Sequence, residues 1–218
     1  MLEPLVQAGT LPPVDERLPE NPCVYPVYEM LGKHGGTWRR GFTGPTDGNT
    51  STVTNCSLTH TVWEGLGTRA NLCESWERSE DGMTFTIRLR KGTKWSDGAP
   101  FTTADMVWWY ENQIKNSTLT AGIPTRYRTG TPPVLMELEA LDDYTVVLTF
   151  AHPFPLFMHW MNINYPFVPA HYMKQFHMDF TDDKDALAKA VSDAGWNSWD
   201  EYYHDRNDWV RNPELPTT

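Results

Sequence analysis

The sequence is poor in three features that would place it in common classes of protein. It has only three cysteines, Cys23, Cys56 and Cys73, without CxxC spacing, which argues against a disulfide-dense scaffold or a zinc ribbon. No stretch approaches the roughly 18 consecutive apolar residues of a membrane-spanning helix. The start, MLEPLVQAGTLPPVDERLP, lacks the basic head and apolar core of a signal peptide. If the parent protein is exported, we expect its signal to be absent from this chain.

Positive charge is also scarce. The chain has 18 Lys and Arg against 28 Asp and Glu, which gives a formal net charge of −10. Partners rich in phosphate need an excess of Lys and Arg. The composition therefore argues against nucleic acid and anionic membrane surfaces as partners, and a neutral or cationic ligand fits better.

The common motifs for catalysis and metal binding are missing. No GxSxG, HExxH, P-loop or GxGxxG is present. His152 and His159, like His171 and His177, do not have the i, i+4 spacing that lets two imidazoles share a metal on a helix. We predict no catalytic residue, no metal site, no cofactor and free or buried thiols. A Cys56–Cys73 disulfide and a glycosidase fragment remain as alternatives, the second requiring two carboxylates about 5 to 10 Å apart.

Tryptophan, in contrast, is abundant, with ten residues. An indole face can stack on a sugar ring or a peptide side chain while its N–H fixes orientation. Trp76, Trp95 and Trp160 lie inside patterned segments and are predicted to pack in the core. Trp38 and Trp63 flank a polar, glycine-rich loop and are candidates for ligand contact. A stand-alone aromatic sugar-binding module is a further alternative, which would require several tryptophans on one exposed face.

Residue patterns predict an α+β fold. Phe85, Ile87 and Leu89 alternate with polar residues, so residues 84–90 should form a half-buried strand. Alternation on both sides of LDDY predicts a hairpin over residues 135–150. Thr102 and Asp105 have capping-box spacing, so a helix should begin there and bury Val107, Tyr110 and Ile114 on one face.

Shorter elements are predicted around this centre. Residues 1–34 hold six prolines and should form an extended arm. A strand is expected at 37–42 and a helical turn in HTVWEGL. Short helices should follow in PFPLFMHWM and VPAHYMKQFH, and an exposed helix in DDKDALAKAVSDAG should end at Gly195.

The segment NLCESWERSEDGMTFTIRLRKGTKWSDGAPFTTADMVWWYE resembles the signature region of the family 5 extracellular solute-binding proteins of ABC importers. These are receptors for oligopeptides, dipeptides, nickel and oligosaccharides. The resemblance rests on the following positions at fixed spacing: Asn71, Glu74, Ser75, Trp76, Leu89, Arg90, Lys91, Gly92, Lys94, Trp95, Ser96, Asp97, Gly98, Pro100, Phe101, Thr102 and Asp105. WEGL, DDYTVVLTFAHPFPLF and VPAHYMKQF resemble further family segments. Cys73 replaces a usual alanine, and the run between the Glu-Gly-Leu turn and Asn71 is shorter than usual.

The resemblance implies the N-terminal part of a two-lobed fold of the periplasmic-binding-protein type, including its smaller subdomain and a small mixed sheet. It divides the chain into an arm (1–34), a first strand of the main lobe (35–47), the subdomain (48–180) and a helical segment leading back to the main lobe (181–218). We expect the second lobe to be missing. The implied function is capture of a peptide-like solute for an ABC permease, without catalysis, in a parent that is periplasmic or anchored outside the cell. An oligosaccharide is the second solute class.

The resemblance also implies where solute binds, because in this family the first strand ends near bound ligand. The loop FTGPTDGNT is rich in hydrogen-bond donors and should lie at the cleft edge. The predicted ligand-binding residues are Trp38, Phe42, Thr43, Asp47, Asn49 and Trp63. A single subdomain offers only half a pocket, so we expect the isolated chain to bind solute in the millimolar range or not at all.

Overall fold

The computed structural model describes residues 3–27, 29–33, 35–37, 39, 41, 56–62, 67–209 and 211–218. The strands are β1 (Thr59–Thr61), β2 (Thr68–Ala70), β3 (Cys73–Arg78), β4 (Thr84–Leu89), β5 (Arg128–Thr129), β6 (Val134–Leu135), β7 (Glu137–Asp142) and β8 (Thr145–Thr149). The α-helices are α1 (Glu3–Gln7), α2 (Val14–Arg17), α3 (Thr103–Trp109), α4 (Phe157–Trp160), α5 (Ala170–Met173), α6 (Lys184–Asp193) and α7 (Trp199–Arg206). A π-helical segment (Tyr110–Ile114) continues α3, and 3₁₀ turns lie at Thr125–Tyr127 and Lys174–Phe176.

A four-stranded sheet in the order β3-β4-β8-β7 forms the centre of the fold. Ile87 on β4 lies between Trp76 on β3 and Val146 on β8, and all three point to the core face. This confirms the predicted strand, the predicted hairpin and the α+β class. Every pairing in the sheet is antiparallel, so the expected mixed sheet was wrong in that respect. The hairpins β3–β4 and β7–β8 need only short turns, and short turns join antiparallel strands.

Helix α3 begins as the sequence predicts. The Thr102 side chain and the Asp105 side chain form the reciprocal capping box at its start. Buried residues are not confined to the single face predicted from the sequence, however. Met106, Trp108 and Trp109 are all buried, while Val107 is only half-buried. Contacts with β7 on one side and α5 on another account for this all-round burial. The helix is thus an internal element that carries its C-terminal end towards the cavity described below.

The turn at residues 96–98, which we call the signature turn, is stabilised by one buried carboxylate, that of Asp105. Gly98 has φ of +91°, a conformation that favours glycine, and its N–H donates to the Trp95 carbonyl at 2.8 Å. Asp105, 5% exposed, accepts from the Trp95 indole at 3.2 Å, from the Thr102 N–H at 3.1 Å and from the Ala170 N–H at 3.2 Å. A single side chain therefore joins the turn, the start of α3 and the start of α5.

The N-terminal segment differs from the expected extended arm, because α1 and α2 are helical. Local Pro4 and Pro13 carbonyls accept early N–H groups there, which favours short turns over extension. The following residues lie along the sheet edge, where the Arg90 guanidinium donates to the Asn21 carbonyl at 2.6 Å. The Asn21 amide donates to Glu74 at 2.7 Å.

Two further local predictions were wrong. His60 and Thr61, expected in a helical turn, belong to β1, which pairs with β2. In the strand predicted at 37–42, the described residues Thr37, Arg39 and Gly41 are not part of a strand. A strand requires a partner for its N–H and C=O groups, and β1 finds one in β2. The remaining residues of both segments lie outside the described part of the chain.

The short helices predicted in the second half are confirmed as α4, α5 and α6, and Gly195 follows α6 with φ of +79°. Trp76 is half-buried and Trp95 is 4% exposed, as expected for packing residues. Trp160 is 43% exposed, so its predicted burial was wrong. Helix α4 turns Phe157 and Met158 inward, and this places Trp160 on the other side. Within the described residues, no helix has the length and apolar character needed to cross a membrane.

Candidate functional site

All six predicted ligand-binding residues lie outside the described residues: Trp38, Phe42, Thr43, Asp47, Asn49 and Trp63. Their role therefore stays a prediction. Cys56 is the first described residue after residues 42–55, and it lines a cavity. The site can thus be built from the other residues that surround this cavity.

The cavity has a volume of about 680 Å³, within the range of small-molecule sites in proteins. It lies between the end of α3, the loops before β5 and α5, and the last residues of the chain. Its lining residues are Cys56, Trp95, Trp109, Gln113, Ile114, Leu119, Thr120, Pro124, Arg126, Tyr127, Ile163, Asn164, Tyr165, Phe167, Val168, Pro169, His204, Asn207, Asp208, Trp209, Leu215, Pro216, Thr217 and Thr218. Most of these positions are far apart in sequence and meet only through the fold.

Aromatic side chains form one part of the cavity lining. Trp109 and Tyr127 are both 3% exposed and meet edge to face at 4.8 Å between ring centroids. Trp95 lies 6.0 Å from Phe167. Trp209 is only half-buried, so part of its surface remains open to a solute. Rings of this kind offer apolar area with little conformational entropy to lose on binding.

Amide and hydroxyl groups form another part. Gln113 lies in the π-helical segment, and its Oε1 atom accepts from the Tyr203 hydroxyl at 3.2 Å and from the Asn207 amide at 3.4 Å. The Thr120 hydroxyl donates to the Gln113 main-chain carbonyl at 2.7 Å. These bonds tie the π segment, the loop after it and α7 into one polar surface.

His204 adds a titratable group to this surface. Its Nε2 atom lies 2.9 Å from the Leu119 carbonyl. A carbonyl can only accept, so this nitrogen carries the proton. This bond holds the imidazole against the loop that carries Leu119, in the wall of the cavity.

Among the described lining residues, Asp208 and Arg126 carry formal charge. Asp208 lies within 3.5 Å of Arg211, so its charge is compensated at the surface. The Arg126 guanidinium lies 5.5 Å from the centre of the Tyr127 ring. The cavity therefore combines aromatic rings with neutral polar groups, a lining that suits an uncharged solute with many hydroxyl or carbonyl groups.

The last residues of the chain close one side of the cavity. The Ser96 N–H donates to the Thr217 carbonyl at 2.7 Å, and the Thr217 N–H donates to the Ser96 hydroxyl at 3.1 Å. The Thr218 hydroxyl donates to the Cys56 carbonyl at 3.3 Å. The signature turn that carries Ser96 thus positions a wall of the cavity as well as the start of α3.

The three cysteines are all free thiols, so the alternative Cys56–Cys73 disulfide is not formed. Cys73 is fully buried, and its thiol donates to the Leu58 carbonyl at 3.0 Å. Burial raises the pKa of this thiol to about 11, so it is neutral at physiological pH. In the part of the chain that the structure describes, no group of three or more His, Cys, Asp and Glu could hold a metal ion.

Most cavity residues carry no local signal in the sequence that points to a site. Gln113 follows an ordinary helical pattern, and nothing in that pattern indicates a π segment. The walls from the 163–169 loop and the C-terminal residues come together through contacts between distant segments. An excess of tryptophan was the only sequence signal pointing to an aromatic site, and Trp109 and Trp209 were not among the residues singled out.

Comparisons with known proteins agree with the fold. Residues 68–210 match the family model described as bacterial extracellular solute-binding proteins, family 5, middle. A periplasmic alpha-galactoside-binding protein from Rhizobium meliloti is 34% identical, over 70% of this chain and 25% of that protein. The periplasmic oligopeptide-binding protein OppA of Escherichia coli is 31% identical, over 39% of this chain and 18% of that protein.

Two solved structures are also similar. One, an oligopeptide-binding protein OppA, superposes with a TM-score of 0.88 at 40% sequence identity. The match covers 100% of this chain and 34% of the OppA chain. The other is the periplasmic binding protein MelB from Agrobacterium fabrum C58 in complex with stachyose, with a TM-score of 0.61 at 27% identity over 87% of this chain and 32% of its own. The chain spans about a third or less of each of these proteins.

Proposed function

The chain belongs to family 5 of the bacterial extracellular solute-binding proteins, and we propose that it is part of a receptor that captures a solute outside the cytoplasm for an ABC permease. The family match is the observation that carries this proposal, because it extends over residues 68–210 and includes most of the cavity lining. The relatives are solute-binding proteins and not enzymes. Binding and release, without a chemical step, are therefore the proposed activity, and the periplasm is the proposed location of the parent.

A neutral oligosaccharide is the solute class that the cavity favours. Trp209 is half-buried and supplies a ring surface, the buried Trp109 and Tyr127 form part of the wall behind it, and Gln113 and Asn207 supply neutral hydrogen-bonding groups. Sugar hydroxyls both donate and accept, and sugar rings stack on aromatic faces. Two of the similar proteins have a sugar as their solute: one is described as an alpha-galactoside-binding protein, and the other was solved in complex with stachyose.

A peptide, the first choice from the sequence, is the second candidate. It is supported by the similarity to oligopeptide-binding proteins, one of them at 40% identity over the whole chain. A free peptide brings a charged amine and a charged carboxylate, and each needs an opposite charge when it leaves water. Asp208, which could pair with the amine, is already paired with Arg211, and among the described lining residues Arg126 could pair with the carboxylate.

The chain should bind its solute weakly. The family receptors enclose solute between two lobes, and this chain covers at most about a third of the similar proteins. Association costs several kcal/mol of translational and rotational freedom, and a half-buried solute recovers little more than that. A dissociation constant in the millimolar range is therefore expected.

Saturation-transfer NMR with stachyose and trialanine tests the proposal on the 218-residue chain. Stachyose should receive saturation at millimolar concentration, and trialanine should receive less. Trp209→Ala should raise the stachyose dissociation constant about fivefold, because stacking is worth roughly 1 kcal/mol. Trp196→Ala, outside the cavity, is the matched control and should leave the constant unchanged. If both variants bind stachyose equally well, the cavity is not the solute site. If the chain binds trialanine more tightly than stachyose, the proposed solute class is wrong.

A further inference from the structure

Gln113 lines the cavity, and its Nε2 amide group has no hydrogen-bond partner among the described residues. Its Oε1 atom is occupied by the Tyr203 hydroxyl and the Asn207 amide. Tyr203 is fully buried, so its hydroxyl needs this acceptor. With the oxygen held towards α7, the Nε2 atom of the same planar group is directed away from Tyr203. Gln113 itself is half-buried and lines the cavity.

The backbone conformation at Gln113 also indicates a functional position. After Trp109 the chain leaves α-helical geometry, and the Lys115 N–H donates to the Tyr110 carbonyl, an i to i+5 bond of 3.1 Å. Short π-helical turns inside helices are rare and occur frequently at functional sites. Here the segment contains Gln113 and Ile114, both of which line the cavity. The Gln113 carbonyl is satisfied by the Thr120 hydroxyl at 2.7 Å.

We infer that Gln113 is a solute-contacting, specificity-determining residue, whose Nε2–H group donates to a hydroxyl oxygen of a neutral sugar in the cavity. The inference rests on the proposed function and assigns the contact that the proposal leaves open. An amide donor favours an oxygen acceptor and disfavours an ammonium group, which has no lone pair to offer. Gln113 therefore selects hydroxyl-bearing solutes over cationic ones.

A purely structural role, in which Gln113 only satisfies Tyr203 and Asn207, can be separated by the response of its side-chain amide signals to the sugar, and one substitution assigns those signals. Gln113→Glu keeps an acceptor oxygen for both hydrogen bonds but replaces the cavity-facing donor with a second acceptor. Gln175→Glu is the matched control, because Gln175 is exposed, lies outside the cavity and undergoes the same change of charge. Thermal melting of the three proteins establishes that each is folded.

The experiment is a titration of the 218-residue chain with stachyose, followed by ¹⁵N–¹H NMR at pH 7.5. In the wild-type protein, the Gln113 side-chain amide signals should shift together with the indole signals of Trp109 and Trp209. Gln113→Glu removes the Gln113 amide signals from the spectrum and so assigns them; because a sugar hydroxyl can turn to donate to the new carboxylate, the contact is judged on the amide signals of wild type. Gln175→Glu should leave the Gln113 signals in place.

The outcomes separate the inference from the proposed function. If wild type binds stachyose and the indole signals of Trp109 and Trp209 shift but the Gln113 amide signals stay fixed, the inference is wrong and the proposed function stands. If wild type shows no shift in the cavity at about 50 mM stachyose, well above a millimolar dissociation constant, both are wrong. Loss of the melting transition in Gln113→Glu does not change this decision, because the wild-type amide signals alone confirm or refute the contact.

Discussion

Replacing Asp105 with asparagine removes the charge from the carboxylate that joins the signature turn to α3 and α5. Asp105 is 5% exposed and accepts three N–H groups, from Trp95 and Thr102 through Oδ2 and from Ala170 through Oδ1. Asparagine has one acceptor oxygen in the same volume. If that oxygen stays with Trp95 and Thr102, the new amide group faces the Ala170 N–H, so two donors oppose each other.

The size of the effect follows from these contacts. A buried donor left without an acceptor costs about 1 to 3 kcal/mol, and the surviving bonds weaken because their acceptor is no longer charged. Burial raises the pKa of Asp105 while the bonds from Thr102, Ala170 and Trp95 lower it, so the ionised carboxylate already bears a desolvation cost that asparagine avoids. We therefore expect a loss of about 2 to 3 kcal/mol in the free energy of unfolding.

Urea unfolding at pH 7, followed by tryptophan fluorescence, measures this loss. Asp182→Asn is the control, because Asp182 is exposed and should leave the midpoint unchanged. A shift in the Asp105→Asn midpoint that corresponds to less than about 0.5 kcal/mol, the usual scatter of surface substitutions, would refute the view that this carboxylate joins the signature turn to α3 and α5. So would an equal loss in both variants.

Four other predictions follow from named contacts. Trp95→Ala should cost about 3 to 5 kcal/mol in urea melts, because the indole is 4% exposed in the core; an unchanged midpoint would refute it. Asp97→Ala should cost only about 1 kcal/mol, since the carboxylate is 42% exposed in its pair with His171; a loss as large as that of Trp95→Ala would contradict this. Burial lowers the pKa of His177 in the folded chain below its ordinary 6.5. As the pH falls through 6.5, the unfolded chain therefore takes up a proton at His177 before the folded chain does, and the free energy of unfolding should decrease more for wild type than for His177→Gln. Trp160 and Ile163 are 43% and 63% exposed on neighbouring positions, so sedimentation should detect concentration-dependent self-association that Trp160→Ser weakens; a strictly monomeric chain would be the contrary result.

The elements that could be predicted are those whose signal is local. The capping box at Thr102 and Asp105 sets the start of α3 through two hydrogen bonds within four residues, and the alternation in β8 gives its buried face directly. The strand β1 has three residues and exists only because β2 pairs with it. Such a strand has too few positions for alternation to be distinguished from a turn.

The site could be predicted much less well. Gln113 depends on Tyr203 and Asn207, some 90 positions later in the chain, for its orientation. Trp160 lies in a patterned segment but on the outer side of a four-residue helix. Neither the π-helical turn nor the arrangement of distant loops has a pattern within a short window, so packing between segments decides them.

Calorimetric titration of the 218-residue chain with a panel of oligosaccharides and peptides tests the central claim most directly, namely that this chain carries one surface of a solute site whose other surface lies elsewhere in the receptor. The account predicts millimolar dissociation constants, with stachyose bound more tightly than any peptide of the panel. A micromolar constant for any member would contradict it, because the described cavity would then bind solute without a second lobe.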